Sequence, residues 1–551
     1  MDSARSRQAP GDAPDWQGWP PEAASRYRDA GYWTDELLGD IVRRQAAARP
    51  EATALVDGER RWSYAALERE IAAVTRALHG LGLRRGDRVI VQLPNVAEFV
   101  LAWFALQRLG AVPVHAMPAH RRSEIDHLAR VTGAVAYVVP DRHARFDHRS
   151  LAVEIREARN AVRRVIVVGD AGGHPDLVPF EALRQDDGPP PGGEPPDPGD
   201  LALLLLSGGT TGTPKLIPRT HRDYAYNARA AAEICRLGPE TVYLAVLPIA
   251  FNFTMSCPGI LGTLRAGGTV VLAPNPSPAT ALRLIERERV TLTAVNPPLV
   301  PHWLAEAEET RPDLTSLRVL QVGAARLPDE WARRIGPELG CRLQQVFGMA
   351  EGLLNLTRLD DAEEIVCTTQ GRPISPGDEV RVTDEDGRPV PDGAAGELLT
   401  RGPYTLNGYY RAPRHTRAHF TEDGYYRTGD LVRRLPSGHL RVVGRVKDQI
   451  NRGGEKIDAT EVEEHLLAHP AVASAALVAA PDGELGERTV AFLVCAGPPP
   501  SARDIAAFLR ERGVAAYKAP DRVRSLREMP LTPVGKIDKR ALRALTHHAA
   551  P

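Results

Sequence analysis

Apolar and polar positions along the chain predict strands that alternate with helices. Apolar residues at helical spacing predict three early helices, over residues 34–49, 65–83 and 96–109. Asn95 precedes the third helix and is predicted to cap it. Short apolar runs predict buried strands over residues 88–93, 110–115 and 201–206. Such alternation favours an α/β fold built on parallel sheets.

The last hundred residues have a pattern of their own. Two helices are predicted, over residues 459–467 and 502–512. Strands are predicted over residues 472–480, 489–496 and 522–526. We therefore expect a large α/β domain over residues 1–444 and a small, mobile α+β domain over residues 445–551.

Size and composition agree with a two-domain enzyme and exclude some classes of partner. A chain of 551 residues is longer than one hydrophobic core usually spans. The formal net charge of −1 predicts no binding to nucleic acid or to an anionic membrane. The five cysteines are scattered without metal-ligand spacing, which predicts reduced thiols in a cytoplasmic protein. Neither a secretory signal nor a transmembrane helix is expected.

The strongest chemical signal is the string Ser207-Gly-Gly-Thr-Thr-Gly-Thr-Pro-Lys215, which follows a predicted buried strand. Glycines let a backbone approach a polyphosphate closely, hydroxyl and N–H groups donate to its oxygens, and a lysine adds positive charge. The spacing does not fit a Walker A loop. The string therefore predicts a phosphate-binding loop of another kind rather than an ordinary flexible turn.

Four further segments carry weaker signals, because each alone has an ordinary structural explanation. In Gln345-Val-Phe-Gly-Met-Ala-Glu351 an aromatic ring can stack on a base and an acid can reach a metal ion. Tyr425-Tyr-Arg-Thr-Gly-Asp430 places an aspartate where it can bind a ribose diol. Residues 444–456 are a basic segment broken by glycines, and residues 533–538 place a lysine on a glycine turn.

In this order the five segments resemble the adenylate-forming superfamily of acyl-CoA synthetases, nonribosomal peptide adenylation domains and luciferases. The resemblance covers about residues 35–545. It implies that ATP and Mg²⁺ activate a carboxylic acid as its acyl-AMP, with release of pyrophosphate. It implies that Lys536 bridges the acid and the α-phosphate, and that the small domain then rotates at Lys447. A phosphopantetheine thiol next takes the acyl group.

The resemblance also implies the residues of each subsite. The implied catalytic residues are Glu351, Lys447 and Lys536. The implied ATP-binding residues are Ser207, Gly208, Gly209, Thr210, Thr211, Lys215, Gly323, Ala324, Val346, Phe347, Gly348, Met349, Asp430 and Arg445. The implied metal-binding residues are Glu351 and Thr211, and the implied thiol tunnel is Arg452, Gly453 and Gly454.

Within the superfamily the chain most resembles stand-alone aryl acid ligases of siderophore pathways, which activate 2,3-dihydroxybenzoate or salicylate. Asn252 stands where ligases for α-amino acids carry an aspartate, so an amino acid substrate is disfavoured. Cys257 stands where dihydroxybenzoate enzymes resemble one another in having serine, which favours a salicylate-like acid. The implied acid-binding residues are Phe251, Asn252, Phe253, Cys257, Ala324, Ala325, Val346 and Leu354.

Three positions depart from the pattern of the aryl acid ligases. Phe251 replaces a histidine, Ala324 replaces a glycine and Arg326 replaces a lysine. A 2-aminobenzoate or 3-hydroxyanthranilate substrate, in another natural product pathway, therefore stays open. The acceptor stays open between an aryl carrier protein acting in trans and coenzyme A.

Two other classes of protein share the fold. A catalytically silent nucleotide-binding scaffold is disfavoured, because the implied catalytic and ATP-binding side chains are present, among them Lys215, Glu351, Asp430, Lys447 and Lys536. A luciferase-like oxidation has no support beyond the fold itself.

Overall fold

The computed structural model describes the chain in nine ranges, and the remaining residues lie outside them. The described residues are 15–158, 160–185, 188–189, 192, 194–207, 215–452, 455–483, 485–532 and 535–546. Within these ranges the chain forms two large, mostly parallel sheets, a smaller antiparallel sheet and a C-terminal sheet.

The first large sheet is parallel in its centre and antiparallel at both edges. Its described strands, in spatial order, are Arg372–Pro373, Gly352–Leu356, Arg342–Met349, Val319–Gly323, Leu292–Val295, Val242–Ala245, Thr269–Leu272, Thr53–Asp57 and Arg60–Ser63. The segments that follow the strands ending at Ala245, Gly323 and Met349 leave the sheet at the same edge, because those strands are parallel. The implied acid pocket is drawn from these three segments.

The second large sheet contains the two strands on either side of the predicted phosphate loop. Its described strands, in spatial order, are Leu216–Thr220, Leu201–Leu206, Val112–His115, Arg88–Val91, Ala136–Pro140, Arg164–Val168 and Leu177–Pro179. Only the first pair is antiparallel, and its two strands flank the predicted phosphate loop. A separate two-stranded ribbon joins Arg142–His143 to Phe146–Asp147.

Two smaller sheets carry the rest of the chain. The antiparallel sheet contains the described strands Glu379–Thr383, Ala395–Arg401, Tyr426–Arg434 and Leu440–Arg445. The 3-10 turn Val446–Asp448 then leads into the C-terminal sheet. The described strands of that sheet are Glu455–Asp458, Gln449–Arg452, Gly486–Cys495, Val472–Asp482 and Arg522–Ser525.

Helices cover the faces of these sheets. The described α-helices are Pro21–Asp29, Ile41–Ala48, Tyr64–Gly80, Ala97–Leu109, Arg122–Thr132, His148–Glu157, Phe180–Leu183, His221–Ile234, Asn252–Ser256, Gly259–Arg265, Pro278–Glu288, Leu299–Thr310, Asp329–Leu339, Glu363–Thr368, Pro413–His419, Ala459–Leu467, Ala502–Glu511 and Lys539–Thr546. Short 3-10 helices lie at Leu38–Asp40 and Ala516–Lys518. No described helix is both long and apolar enough to span a membrane.

The helix Ala97–Leu109 lies at the centre of the main core. Eleven of its side chains are buried, as expected for a helix that is apolar on all sides. Its residues Phe99 and Trp103 share one hydrophobic cluster with Leu55 of the first sheet and Val89 of the second. The two large sheets therefore enclose a common helical layer, and a polar side chain in that layer can reach the backbone of either sheet.

The pattern predicted most elements, and two details of it were wrong. The strand Leu201–Leu206 and the helix Ala459–Leu467 have the predicted bounds. The helix predicted from residue 34 begins at Ile41, after a 3-10 turn. The side chain of Asn95 makes no cap; Val96 occupies the cap position, and Asn95 bonds to a distant segment described below.

Two buried histidines make the stability of the fold depend on pH. Burial lowers the pKa of His115 and of His221 from 6.5 to about 4. Leu38 N–H donates to His221 Nδ1 at 3.3 Å, which requires the neutral ring. Since the pKa is lower in the folded state, the stability from each ring is present above pH 6.5 and is lost as the pH falls toward 4. The slope is about 1.4 kcal/mol per pH unit for each histidine.

We expect the Tm of the protein to fall between pH 6.5 and about 4, and to fall less steeply in His221→Asn. The asparagine oxygen can still accept from Leu38 N–H but does not titrate. Thermal unfolding of both proteins across this pH range checks the expectation. Parallel curves for wild type and variant would show that His221 does not link stability to pH.

Candidate active site

The two ends of the predicted phosphate loop close a hairpin. Ser207 N–H donates to the Lys215 carbonyl at 2.9 Å, and Lys215 N–H donates to Ser207 Oγ at 3.2 Å. These bonds hold the loop at the end of a buried antiparallel pair. The predicted ligands Gly208, Gly209, Thr210 and Thr211 lie outside the described residues.

Glu351 is buried in the tight turn that follows the strand Arg342–Met349. Tyr409 O–H donates to Glu351 Oε1 at 3.0 Å, and the Tyr426 hydroxyl lies 3.0 Å from the Tyr409 oxygen. Burial raises the pKa of Glu351, while the Tyr409 hydrogen bond and the charge of Arg445 oppose that shift. A buried carboxylate in this state gains from a nearby cation, so Glu351 fits the role of a Mg²⁺ ligand.

Asp430 and Arg445 face each other across neighbouring antiparallel strands. Arg445 Nε donates to Asp430 Oδ1 at 2.6 Å. The Asp430 carboxylate raises the pKa of Arg445, so the guanidinium stays charged. One oxygen of Asp430 accepts from Arg445, and the other carboxylate oxygen is an acceptor of the kind that a ribose diol requires.

Lys536 belongs to a tight turn of the C-terminal domain. Lys536 N–H donates to Thr532 Oγ1 at 3.1 Å, and Thr532 N–H donates back to the Lys536 carbonyl at 2.7 Å. Burial lowers the pKa of Lys536 to about 8, and the charge of Arg445 acts in the same direction. Asp430 and Glu351 oppose that shift, so Lys536 interacts electrostatically with two of the residues predicted to bind ATP and Mg²⁺.

Gly535 allows this turn to approach the large domain closely. Its φ of +75° lies in the left-handed region that favours glycine. A Cβ there would stand 2.3 Å from Asn296 Nδ2, which donates to the Gly535 carbonyl at 3.2 Å. A side chain at residue 535 would therefore strain this turn and displace the Asn296 amide.

The predicted acid pocket is centred on Asn252, the first residue of a short helix. Tyr224 O–H donates to Asn252 Oδ1 at 2.8 Å, which orients the amide. Asn252 Nδ2 faces Cys257 Sγ at 3.7 Å, and Cys257 is buried. Burial raises the pKa of the Cys257 thiol to about 12, so Cys257 stays neutral.

Phe253, Val346 and Leu354 are the predicted apolar residues of this pocket. All three are buried and belong to the same hydrophobic cluster as Cys257. A Cβ at Gly323 would stand 3.0 Å from the Phe253 ring and 2.7 Å from the Val346 carbonyl. Only glycine at residue 323 therefore allows Phe253 and Val346 to pack this closely. Phe251 and Ala324 pack against the same cluster and are only partly buried.

Other predicted residues lie further from this centre. Phe347 and Met349 are half-buried and pack toward the antiparallel sheet, while Gly348 and Ala325 are exposed. Lys447 is exposed in the 3-10 turn between the antiparallel sheet and the C-terminal sheet. Arg452 binds Asp521 through two nitrogens, at 2.7 and 3.0 Å, within the C-terminal domain. Gly453 and Gly454 lie outside the described residues.

Sequence reasoning missed the aromatic residues that orient the functional side chains. Tyr426 lies inside a string that was singled out for Asp430, so its position alone was a usable signal. Tyr224 and Tyr409 are 28 and 58 residues away from their partners Asn252 and Glu351, and no local pattern marks them. Among the described residues, no group of three or more His, Cys, Asp or Glu side chains could hold a metal ion.

Comparison with known proteins agrees with this geometry. Residues 42–410 match the family described as "AMP-binding enzyme", and residues 461–536 match "AMP-binding enzyme C-terminal domain". The 2,3-dihydroxybenzoate-AMP ligase of Bacillus subtilis is 51% identical over 95% of this chain and 96% of that protein. The salicyl-AMP ligase / salicyl-S-ArCP synthetase of Mycobacterium tuberculosis is 48% identical over 95% of this chain and 93% of that protein.

Solved structures agree as well. The apo structure of MbtA from Mycobacterium smegmatis superposes with a TM-score of 0.75 at 48% identity, covering 96% of this chain and 98% of that one. The chain therefore belongs to the AMP-binding enzymes, which are ATP-dependent adenylate-forming enzymes. Within that family it is an aryl acid AMP ligase, so the predicted fold class, enzyme class and family are confirmed.

Ala324 carries backbone strain at the edge of the pocket. Its φ of +70° lies in the left-handed region, where an alanine costs about 1–2 kcal/mol. We expect Ala324→Gly to raise the free energy of unfolding by about 1 kcal/mol, because relief of strain exceeds the added entropy of the unfolded chain. The neighbouring Ala325→Gly is the control and should destabilise slightly, because Ala325 has no positive φ to relieve. Chemical denaturation of both variants tests this, and a loss of stability in Ala324→Gly would refute it.

Proposed function

We propose that this enzyme activates salicylate or a closely similar 2-hydroxybenzoate as its acyl-AMP and transfers the acyl group to the phosphopantetheine thiol of an aryl carrier protein. The observation that carries the choice of acid is the bond from Tyr224 to Asn252 Oδ1. Tyr224 thus fixes which end of the amide carries the oxygen, and since one Nδ2–H points to Cys257 Sγ, we infer that the second Nδ2–H faces the pocket. The pocket therefore offers a hydrogen-bond donor to the ring substituent.

A hydroxyl group beside the carboxylate suits this donor better than an amino group does. The phenolic hydrogen of salicylate bonds to its own carboxylate, which leaves an oxygen lone pair free to accept from Asn252. The nitrogen lone pair of a 2-aminobenzoate is delocalised into the ring and accepts poorly. This difference favours salicylate over anthranilate and 3-hydroxyanthranilate.

The pocket has little provision for a second hydroxyl. Cys257 Sγ lies 3.7 Å from Asn252 Nδ2 and 3.6 Å from the Asn252 carbonyl. A neutral thiol is a weak hydrogen-bond partner, so it compensates poorly for the desolvation of a 3-hydroxyl group. The relative that acts on salicylate and the relative that acts on 2,3-dihydroxybenzoate are similarly distant in identity, so the pocket chemistry decides our choice.

For the first half-reaction, we propose that the acid carboxylate attacks the α-phosphate of ATP while Lys536 bridges the two anions. Lys536 offsets their repulsion, and its position near Asp430 and Glu351 supports this role. Asp430 would hold the ribose diol, and Phe347 and Met349 would border the adenine. Mg²⁺, held by Glu351 and Thr211, would neutralise charge on the departing pyrophosphate.

For the second half-reaction, we propose that the C-terminal domain, residues 445–551, rotates about Lys447. Lys447 lies in the short turn that joins the antiparallel sheet to the C-terminal sheet. A change of a few backbone angles at such a turn moves a whole domain. Rotation would withdraw Lys536 and bring the Arg452-Gly453-Gly454 segment to the thiol tunnel. Five free cysteines, four of them buried, support a reducing cytoplasmic setting for this chemistry.

Acid-dependent release of pyrophosphate across a panel tests the proposal. The panel contains salicylate, 2,3-dihydroxybenzoate, anthranilate, 3-hydroxyanthranilate, benzoate and several amino acids. We expect the highest kcat/KM for salicylate, and thioester formation on an aryl carrier protein rather than on coenzyme A. Preference for an aminobenzoate would contradict the assignment of Asn252, and preference for coenzyme A would contradict the assignment of the acceptor.

A further inference from the structure

The acid pocket depends on a segment that has no regular secondary structure. Residues 246–251 join the end of the strand Val242–Ala245 to the helix that begins at Asn252. Most of this segment is buried, so its backbone N–H and C=O groups need partners that a helix or sheet would otherwise supply. The groups that bind this backbone therefore also fix the positions of Phe251 and Asn252.

Asn95 makes three hydrogen bonds to this segment and to the strand residue before it. Its Nδ2 donates to the carbonyls of Ala245 at 3.0 Å and Leu247 at 3.1 Å. Its Oδ1 accepts from Ile249 N–H at 2.8 Å. One buried amide thus binds three successive odd-numbered residues, which fixes the path of the backbone between them.

His115 supplies a fourth hydrogen bond. Its partner, Ala250, is one residue nearer to Asn252 than Ile249 is. Its Nδ1 is 2.9 Å from the Ala250 carbonyl, and its Nε2 accepts from Trp103 Nε1–H at 3.0 Å. An indole nitrogen can only donate, so the neutral ring must carry its proton on Nδ1 and donate it to Ala250. His115 is 1% exposed, which makes the loss of either partner costly.

Both side chains come from the second sheet and the helical layer, not from the sheet that carries the pocket. Asn95 precedes the helix Ala97–Leu109, and His115 ends the strand Val112–His115. The hydrogen bonds described for the two side chains go to the backbone of residues 245–250 and to Trp103, and none goes to a residue of the implied acid pocket. A change at either residue would shift Asn252 without removing any group that touches the acid.

We propose that Asn95 and His115 are positioning residues that set the acid selectivity of the enzyme by holding the backbone of residues 245–250. This inference rests on the proposed role of Asn252 as the donor to the ring substituent. A hydrogen bond to a small ring substituent is lost when its donor moves by a fraction of an ångström, whereas apolar contact with the ring is less sensitive. Misplacement of the segment therefore weakens selection for the ortho hydroxyl group more than it weakens binding of benzoate.

The test compares the full-length wild-type enzyme with three His115 and Asn95 variants. His115→Phe keeps an aromatic ring but removes both hydrogen bonds, and Asn95→Ala removes three. His115→Asn restores a donor near the position of Nδ1. For each enzyme, kcat and KM are measured with salicylate and benzoate by pyrophosphate release, together with the KM for ATP and the Tm.

We expect His115→Phe and Asn95→Ala each to lower the ratio of kcat/KM for salicylate to that for benzoate by about tenfold. The change should appear mainly in the KM for salicylate, with the KM for ATP unchanged. His115→Asn should return the ratio to within about threefold of wild type. A ratio in His115→Asn as low as in His115→Phe would overturn the role of the bond to Ala250.

Tyr64→Phe is the matched control. It removes a buried hydroxyl that donates to the carbonyls of Gly268 at 2.7 Å and Leu264 at 3.2 Å, away from residues 245–252. It should lower the Tm without changing the ratio of the two acids. An unchanged ratio in both Asn95→Ala and His115→Phe would overturn the proposal, even with a lower Tm, because a purely structural role predicts that result.

If the proposed function is wrong, the result is different: the wild-type enzyme will not prefer salicylate to benzoate. The positioning role is then tested on the acid that wild type does prefer: the KM for that acid should rise about tenfold in His115→Phe while the KM for ATP stays constant. An unchanged KM for that acid would overturn the positioning role.

Discussion

Replacing Lys536 by alanine is expected to lower the kcat of acid-dependent pyrophosphate release by about a hundredfold to a thousandfold. In the proposed mechanism this side chain offsets repulsion between two anions, in a site that already contains the carboxylates of Glu351 and Asp430. Thioester formation from supplied acyl-AMP should keep most of its rate, because that step needs Lys536 to be withdrawn. The two half-reactions are measured separately, by pyrophosphate release and by acyl transfer to the carrier thiol.

Lys539→Ala is the matched control for Lys536→Ala. Lys539 lies three residues further on and pairs with Glu463 at 2.7 Å inside the C-terminal domain. It should leave both half-reactions nearly unchanged. Equal loss of both half-reactions in Lys536→Ala would refute the division of labour between them.

The pKa of Lys536 adds a pH dependence to the same prediction. Burial lowers that pKa to about 8, so the free enzyme loses the cation as the pH rises through this value. The kcat/KM for ATP in the adenylation step should therefore decline above about pH 8, because this parameter reports ionisation in the free enzyme. The residual activity of Lys536→Ala should lack that decline.

Replacing Asn252 by alanine is expected to lower kcat/KM for salicylate by about tenfold to a hundredfold, and that for benzoate by less than about threefold. Only the ortho hydroxyl group loses a partner. Tyr224→Phe should cause a smaller loss in the same direction, because it frees the amide to turn without removing it. Pyrophosphate release with the two acids measures both effects, and equal losses for both acids would exclude the role of Asn252.

Local sequence pattern was sufficient to specify some elements of the fold and misleading for others. The strand Leu201–Leu206 and the helix Ala459–Leu467 were predicted to the residue, because the strand is a continuous apolar run and the polar Asp458 caps the start of the helix. At Asn95 the same reasoning gave a wrong assignment. An asparagine before a helix usually caps it, but this side chain binds Ala245, Leu247 and Ile249 instead. Tertiary partners overrode a local preference worth about 1 kcal/mol.

The sequence by itself determined the class of enzyme and the positions of its charged groups. The string from Ser207 to Lys215, the acid Glu351, the acid Asp430 and Lys536 each carry their chemistry within a few residues, so their order along the chain was enough to indicate an adenylate-forming ligase. The family match over residues 42–410 confirms that conclusion. Short motifs are readable because backbone geometry and side-chain type act locally there.

Only the tertiary structure decided how those groups are oriented. Tyr224 binds Oδ1 of the Asn252 amide, Tyr409 binds Glu351, and His115 holds Ala250 across 135 residues of chain. These contacts join segments from different sheets, and hydrogen bonds require positions accurate to a few tenths of an ångström. The pattern along a chain specifies which residues are polar or apolar, but partners distant in sequence meet only after the two large sheets have packed on their common helical layer.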